Sequence, residues 1–180
     1  IGVAAQVSAR NVGRIAPRFS VSAGLAISGA GFFWLHNVMT LDADYLTILV
    51  PLLLASFGIG LTFVPLTLTA ISNVEGGDAG VASGTLNTSQ QVGGSIGLAV
   101  LVTVATTAIT DRITELMTAA AMSGTPMMKP SPAVILEASV FGWASAFQAA
   151  ALICFAGALL VLVLITRKVH AGEAQPTVAH

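Results

Sequence analysis

Long uncharged, mostly apolar stretches alternate with short charged ones along the whole chain. Runs without Asp, Glu, Lys or Arg cover residues 19–41, 45–74, 79–110 and 138–166. Each exceeds the roughly 20 residues that a helix needs to cross the hydrocarbon core of a membrane. A fifth run, 116–128, is too short to span and is interrupted by Gly124 and Pro126, so it reads as an interfacial or loop segment. Lipid offers no water to backbone amides and carbonyls, and a barrel strand would be about half as long and would alternate polar with apolar. The pattern therefore predicts an all-α membrane protein with four transmembrane helices, at 19–39, 46–73, 79–108 and 140–166. Residues 1–18 are expected to form a cytoplasmic loop, 111–138 an extracytoplasmic loop and 167–180 a cytoplasmic tail.

Composition supports this picture. The chain is 55% hydrophobic and only 8% charged, with a mean hydropathy of +0.89, outside the range of soluble globular domains. Ile1 in place of an initiating Met, and three arginines ahead of the first apolar run, do not fit a cleaved signal peptide. A fragment of a longer protein is the expectation. Arg10, Arg14 and Arg18 precede the first span and Arg167 and Lys168 follow the fourth, whereas Arg112 and Lys129 lie on the opposite side. The positive-inside rule then puts both ends in the cytoplasm.

The spans differ in chemistry. The first ends in Phe32, Phe33, Trp34, Leu35 and His36, aromatic residues at interface height. Before it, Arg10, Arg14 and Arg18 are four apart and would share one side of a helix. They read either as a charge cluster meeting lipid headgroups or as a latch between helices. In the second span Pro65 cannot donate to the carbonyl of Leu61, which should kink or loosen the helix there. Gly58, Thr62, Pro65, Thr69 and Asn73 fall along one face, with Ser72 beside them, and Gly60 lies with Gly58 between Pro51 and Pro65. That face suits close helix packing or the lining of a cavity equally well.

The third span is the most polar. Asp78 follows two glycines and precedes the first turn, where a carboxylate can cap free amides. Gly80, Ser83, Asn87, Gln90, Gln91, Gly94 and Gly97 project within about a third of the circumference. Gly80 with Gly84, and Gly93 with Gly97, are small-xxx-small pairs that permit close backbone approach. An unpartnered amide in hydrocarbon is costly, so Asn87, Gln90 and Gln91 need either polar groups on neighbouring helices or a water-filled cavity. The fourth span, from Ala149 to Ile165, is almost wholly aliphatic and reads as a lipid-facing helix, with Trp143 as an interfacial anchor. Cys154 is alone, so no internal disulfide can form.

Several function classes drop out. The chain has no phosphate-binding glycine loop, no HExxH and no paired Cys or His at ligand spacing, so neither a metal site nor a cofactor is expected. His36 and His170 lie at opposite interfaces and cannot meet at one catalytic site, and an enzyme is not expected. A net charge of −1 without a basic stripe argues against nucleic acid as a partner.

The residues Gly58-Ile59-Gly60-Leu61-Thr62-Phe63-Val64-Pro65-Leu66-Thr67, and the string from Asp78 to Gly97, resemble the C-terminal part of a major facilitator superfamily transporter. The similarity is to the fourteen-helix drug:proton antiporter branch of bacterial multidrug efflux pumps. The start around Arg10, Gly13, Arg14 and Arg18 looks like a degenerate copy of the superfamily's cytoplasmic loop motif, without its acidic residue. The resemblance covers residues 1–168. It implies the last four helices of a helical-bundle carrier in the bacterial inner membrane, the first and last peripheral and the middle two lining a central cavity. It further implies alternating access, with no cofactor other than the proton as coupling ion.

On that reading Thr62, Thr69, Ser83, Asn87, Gln90 and Gln91 are candidate cavity residues. Gly58, Gly60, Pro65, Asp78, Gly80, Gly84, Gly93, Gly94 and Gly97 are candidates for packing and gating. The expected partners are membrane lipid, an amphipathic small-molecule substrate and the missing N-terminal helices of the same chain. No Asp, Glu, Lys or Arg lies within the four spans, so the proton-carrying group is expected in that N-terminal portion. The alternative from another class is a non-transporting four-helix subunit whose polar helix binds a partner protein.

Overall fold

The computed structural model describes residues 2–11, 16–71, 74, 76–124 and 129–164. Among them five α-helices follow one another: α1 (Gly2–Asn11), α2 (Pro17–Val38), α3 (Tyr45–Ile71), α4 (Ala79–Met122) and α5 (Pro132–Leu164). A short 3-10 turn, Gly76–Asp78, leads into α4. Helices α2 to α5 are each long and apolar enough to cross a membrane, and each contains most of one of the four predicted spans.

Two predicted loops contain helix instead. Residues 2–11, expected in a cytoplasmic loop, form α1, whose Ala4 and Ser8 are buried one turn apart. Most of the segment 111–138, expected to be loop, extends α4 and α5. The 44 residues of α4 make a rod of about 66 Å, roughly twice the thickness of a hydrocarbon core. Hydropathy ends at the membrane boundary, but helix propensity does not: Leu116, Met117, Ala119, Ala120, Ala121 and Met122 all favour the helix. It stops where the chain supplies stop signals. The Ser123 amide donates to the carbonyl of Ala119, and Gly124 takes a φ of 79° that side chains resist. Helix α5 restarts with Pro132 at its first position and the Ser131 hydroxyl accepting from the Val134 amide at 3.3 Å.

Helix α2 is the centre of the packing. Its buried residues Val21, Gly24, Ser28, Gly31 and Leu35 recur every three or four positions. So do Pro51, Ala55, Gly58, Thr62 and Pro65 on α3. The two stripes meet face to face. A Cβ added at Gly24 would stand 2.8 Å from the Gly58 carbonyl oxygen, and one at Gly58 would collide with the Gly24 carbonyl. Ser28 donates to the Ala55 carbonyl at 3.0 Å, so this tight seam leaves its hydroxyl satisfied.

On its other side α2 packs along α5. Ser22 donates to the Ala158 carbonyl at 2.9 Å, Gly29 lies against the Phe155 ring, and Phe32 stacks with Phe147 at 6.1 Å between centroids. Helix α5 carries α4 in turn, with Gly142 set against Ala105 and Ile109. Helix α1 lies on α3. Large aliphatic residues such as Leu152, Leu159 and Val163 point outward, as lipid contact requires.

The seam sets a prediction. Gly58→Leu in the full-length protein is expected to force α2 and α3 apart and to cost about 1–3 kcal/mol, typical of overpacking. Val163→Leu, on the outward face of α5, is the comparison. Thermal unfolding in detergent checks both, and a lower melting temperature is expected for Gly58→Leu.

Candidate functional site

Helix α4 divides into two halves with different surroundings. In the half after residue 100, the side that meets α5 contains Ala105, 1% exposed, and Ile109 and Arg112. Counting back from Ala105 by threes and fours passes through positions 101, 97, 94, 90, 87, 83 and 80. The polar stripe therefore continues the very side of α4 that packs on α5 further along.

No described helix follows it there. Beyond Gly142, α5 gives its small-residue face to α2, through Ala144, Ala151 and Ala158. Ser83, Asn87, Gln90 and Gln91 are exposed. Among the described residues no hydrogen bond engages the side chains of Asn87, Gln90 or Gln91. Ser95, one turn on, donates back to the Gln91 carbonyl at 2.8 Å. A Cβ at Gly80, Gly84, Gly93, Gly94 or Gly97 would meet nothing within 4 Å among the described residues. The described helices therefore supply neither the close backbone approach nor the interhelical amide bonds that the sequence left open.

The polar face of the second span goes elsewhere. Thr62 is 8% exposed, bonds the Gly58 carbonyl at 3.0 Å and presses on Gly24, so it belongs to the α2–α3 seam and not to the open stripe. Gly58, Gly60 and Pro65 are buried as well. Thr69 lies in α3, but its side chain and Asn73 fall outside the described residues. Asp78 sits at the N-cap position of α4 without the side-chain hydrogen bond that capping requires, because its backbone is held in the 3-10 turn with φ −100° and ψ 2°. Its expected capping bond is absent, while its position at the positive end of the helix dipole is kept.

Of the arginine motif, Arg10 is exposed on α1, and Arg18 places its guanidinium 4.5 Å above the Phe19 ring, an amphipathic pairing. Gly13 and Arg14 lie outside the described residues. Among the described residues no three His, Cys, Asp or Glu side chains are grouped to hold a metal ion.

One constellation escaped the sequence reading. Arg112 bonds Glu115 at 2.8 Å and Glu137 of α5 at 2.7 Å, and its guanidinium stands 5.6 Å from the Phe141 centroid. Beside it His36 Nδ1 donates to the Ala144 carbonyl at 2.8 Å. Arg112, Glu137, Phe141, His36 and Ala144 line a cleft of about 260 Å³ where α2, α4 and α5 converge. Arg112 served in the sequence only as a topology marker, and nothing in the spacing announces a partner 25 residues away.

Four long apolar helices, packed through small residues and clothed in aliphatic side chains, define a multi-pass membrane protein. Comparison with known proteins narrows the class. The chain is 49% identical over 88 residues to the cephamycin export protein CmcT of Amycolatopsis lactamdurans, covering 48% of this chain and 18% of that protein. It is 33% identical over 172 residues to the puromycin resistance protein pur8 of Streptomyces alboniger, covering 93% of this chain and 31% of that protein. The uncharacterized MFS-type transporter EfpA of Mycobacterium tuberculosis is 32% identical over 110 residues, covering 59% and 20%. No protein-family model and no solved structure matches. The chain belongs to the major facilitator superfamily, and these relatives are named as exporters, resistance proteins or transporters, not as enzymes. It spans a third or less of the length of these curated relatives.

The Arg112 cluster generates a prediction. Arg112→Glu is expected to loosen the α4–α5 contact, and adding Glu137→Arg to restore it, because the reversed pair re-forms the same bond. Hydrogen exchange of the α4 and α5 amides around Ile109 and Gly142 reads the contact directly. Only a small fall in melting temperature is expected for the single variant, since both partners are partly solvated.

Proposed function

We propose that these helices form part of a proton-coupled exporter of amphipathic small molecules, of the fourteen-helix drug antiporter branch, working by alternating access with both ends of this chain in the cytoplasm. The observation that carries the reading is the open stripe of α4. Three amides without partners among the described residues stand on the side of a membrane helix that its described neighbours leave uncovered. Hydrocarbon would penalise them, so this side must meet a polar, hydrated surface. A cavity shared with the other helices of a carrier is such a surface.

Within that cavity Asn87, Gln90 and Gln91 would offer hydrogen bonds of both kinds to cargo of varied structure, among apolar walls that accept its hydrophobic parts. The glycines of the stripe leave room for cargo or for the backbone of a facing helix. Thr62 is assigned to the seam behind this wall. The spans hold no carboxylate at mid-depth, so the proton is carried by helices outside these residues. Cephamycin export and puromycin resistance, each named for one relative, supply the cargo class for a first trial.

The test is drug accumulation in cells expressing the full-length protein. Replacing Gln90 and Gln91 together with Leu is expected to lower export of puromycin or a cephamycin several-fold while leaving the amount of protein in the membrane unchanged. Unaltered accumulation in that variant would remove the amides from the cargo path.

A further inference from the structure

Pro65 has no amide hydrogen, so the carbonyl of Leu61, four residues earlier, cannot receive its helical bond. In a membrane that carbonyl has no water to turn to, and a freed acceptor must find another donor. The structure supplies one from a distant part of the chain. The Ser8 hydroxyl of α1 donates to the Leu61 carbonyl at 3.0 Å, across 53 positions of sequence. Ser8 is 3% exposed, so water does not compete for the bond. Ala4, one turn away, is 0% exposed and lies on the same side of α1. Among the described side chains of α1, Ala4 and Ser8 are the buried ones.

We propose that Ser8 is the donor for the proline break, and that the Ser8–Leu61 bond is the joint through which α1 sets the bend of α3. Of the two prolines inside α3, Pro51 lies on the side clamped to α2 and Pro65 beyond the clamp. On the Tyr45 side of the break it is clamped to α2, by the Gly24–Gly58 approach and by the Ser28 bond to the Ala55 carbonyl. Between that clamp and the end of the helix at Ile71, Pro65 is the position where the helical bond is missing. Straightening or deepening the bend changes the orientation of the Leu61 carbonyl, and with it the hydrogen bond to α1. Displacement of α1 thus acts on the 66–71 segment of α3 without passing through α2. Ser8 is a positioning residue; it acts through α3 and requires no assumption about the cargo.

A double-mutant cycle on the full-length protein in detergent tests this, read by melting temperature and by hydrogen exchange of the α3 amides after Pro65. Ser8→Ala is expected to lower the melting temperature and to speed that exchange several-fold. Pro65→Ala restores an amide at position 65 that can bond the Leu61 carbonyl within the helix. In that background Ser8→Ala is expected to change exchange hardly at all. Ser8→Cys, which keeps the side-chain shape with a larger atom but donates weakly, is expected to follow Ser8→Ala. Equal effects of Ser8→Ala in both backgrounds, or Ser8→Cys behaving as wild type, would reduce Ser8 to a packing residue and overturn the proposal. Neither readout involves export, so loss of the joint and loss of the cargo path are separately visible.

Discussion

Where Gly24 of α2 meets Gly58 of α3, two backbones come so close that a methyl group on either would strike the carbonyl of the other. Between membrane helices there is little hydrophobic force to gain, because lipid tails are as apolar as leucine; attraction comes from surface contact and from polar groups brought into register. Two matched stripes of small residues provide both. They remove the side chains that would hold the helices apart, and they bring the Ser28 hydroxyl to the Ala55 carbonyl. Once α2 and α3 are joined in this way, the far side of α2 is left to receive α5, and α5 places α4.

The same chemistry has opposite outcomes on α3 and α4. Both helices carry a face of Gly, Ser, Thr or amide residues at helical spacing. On α3 that face is closed: its hydroxyl, Thr62, folds back on its own helix and its glycine admits the neighbour. On α4 the corresponding face lies open from Gly80 to Gly97, although it continues the stripe that packs at Ala105. A hydroxyl can satisfy itself against the carbonyl one turn back, as Thr67, Ser95 and Thr103 do. Asn and Gln side chains have no such retreat for all their donors and acceptors, which is why the amides of α4 rather than the threonines of α3 mark the surface that needs a polar partner.

The spans also hold one another through bonds at their ends and breaks. Arg112 ties α4 to α5 where both helices run past the apolar core, and Ser8 ties α1 to the proline break of α3. In each case a group that the helix cannot satisfy alone, a cation at the interface or a carbonyl without its amide, finds its partner on another helix.

Much was written in the residues themselves. Four helices follow from uncharged runs of sufficient length, since the lipid permits no other backbone for them, and the two small-residue faces follow from helical period. Tertiary structure alone decided which of those faces closes and which stays open, because glycine and threonine at the same spacing suit a seam and a cavity wall equally. It decided as well that 2–11 and 111–122 are helical, where hydropathy marks only what lies outside the membrane. And it paired Ser8 with Leu61 and Arg112 with Glu137, contacts that depend on which helices lie side by side, which periodicity within a single helix does not encode.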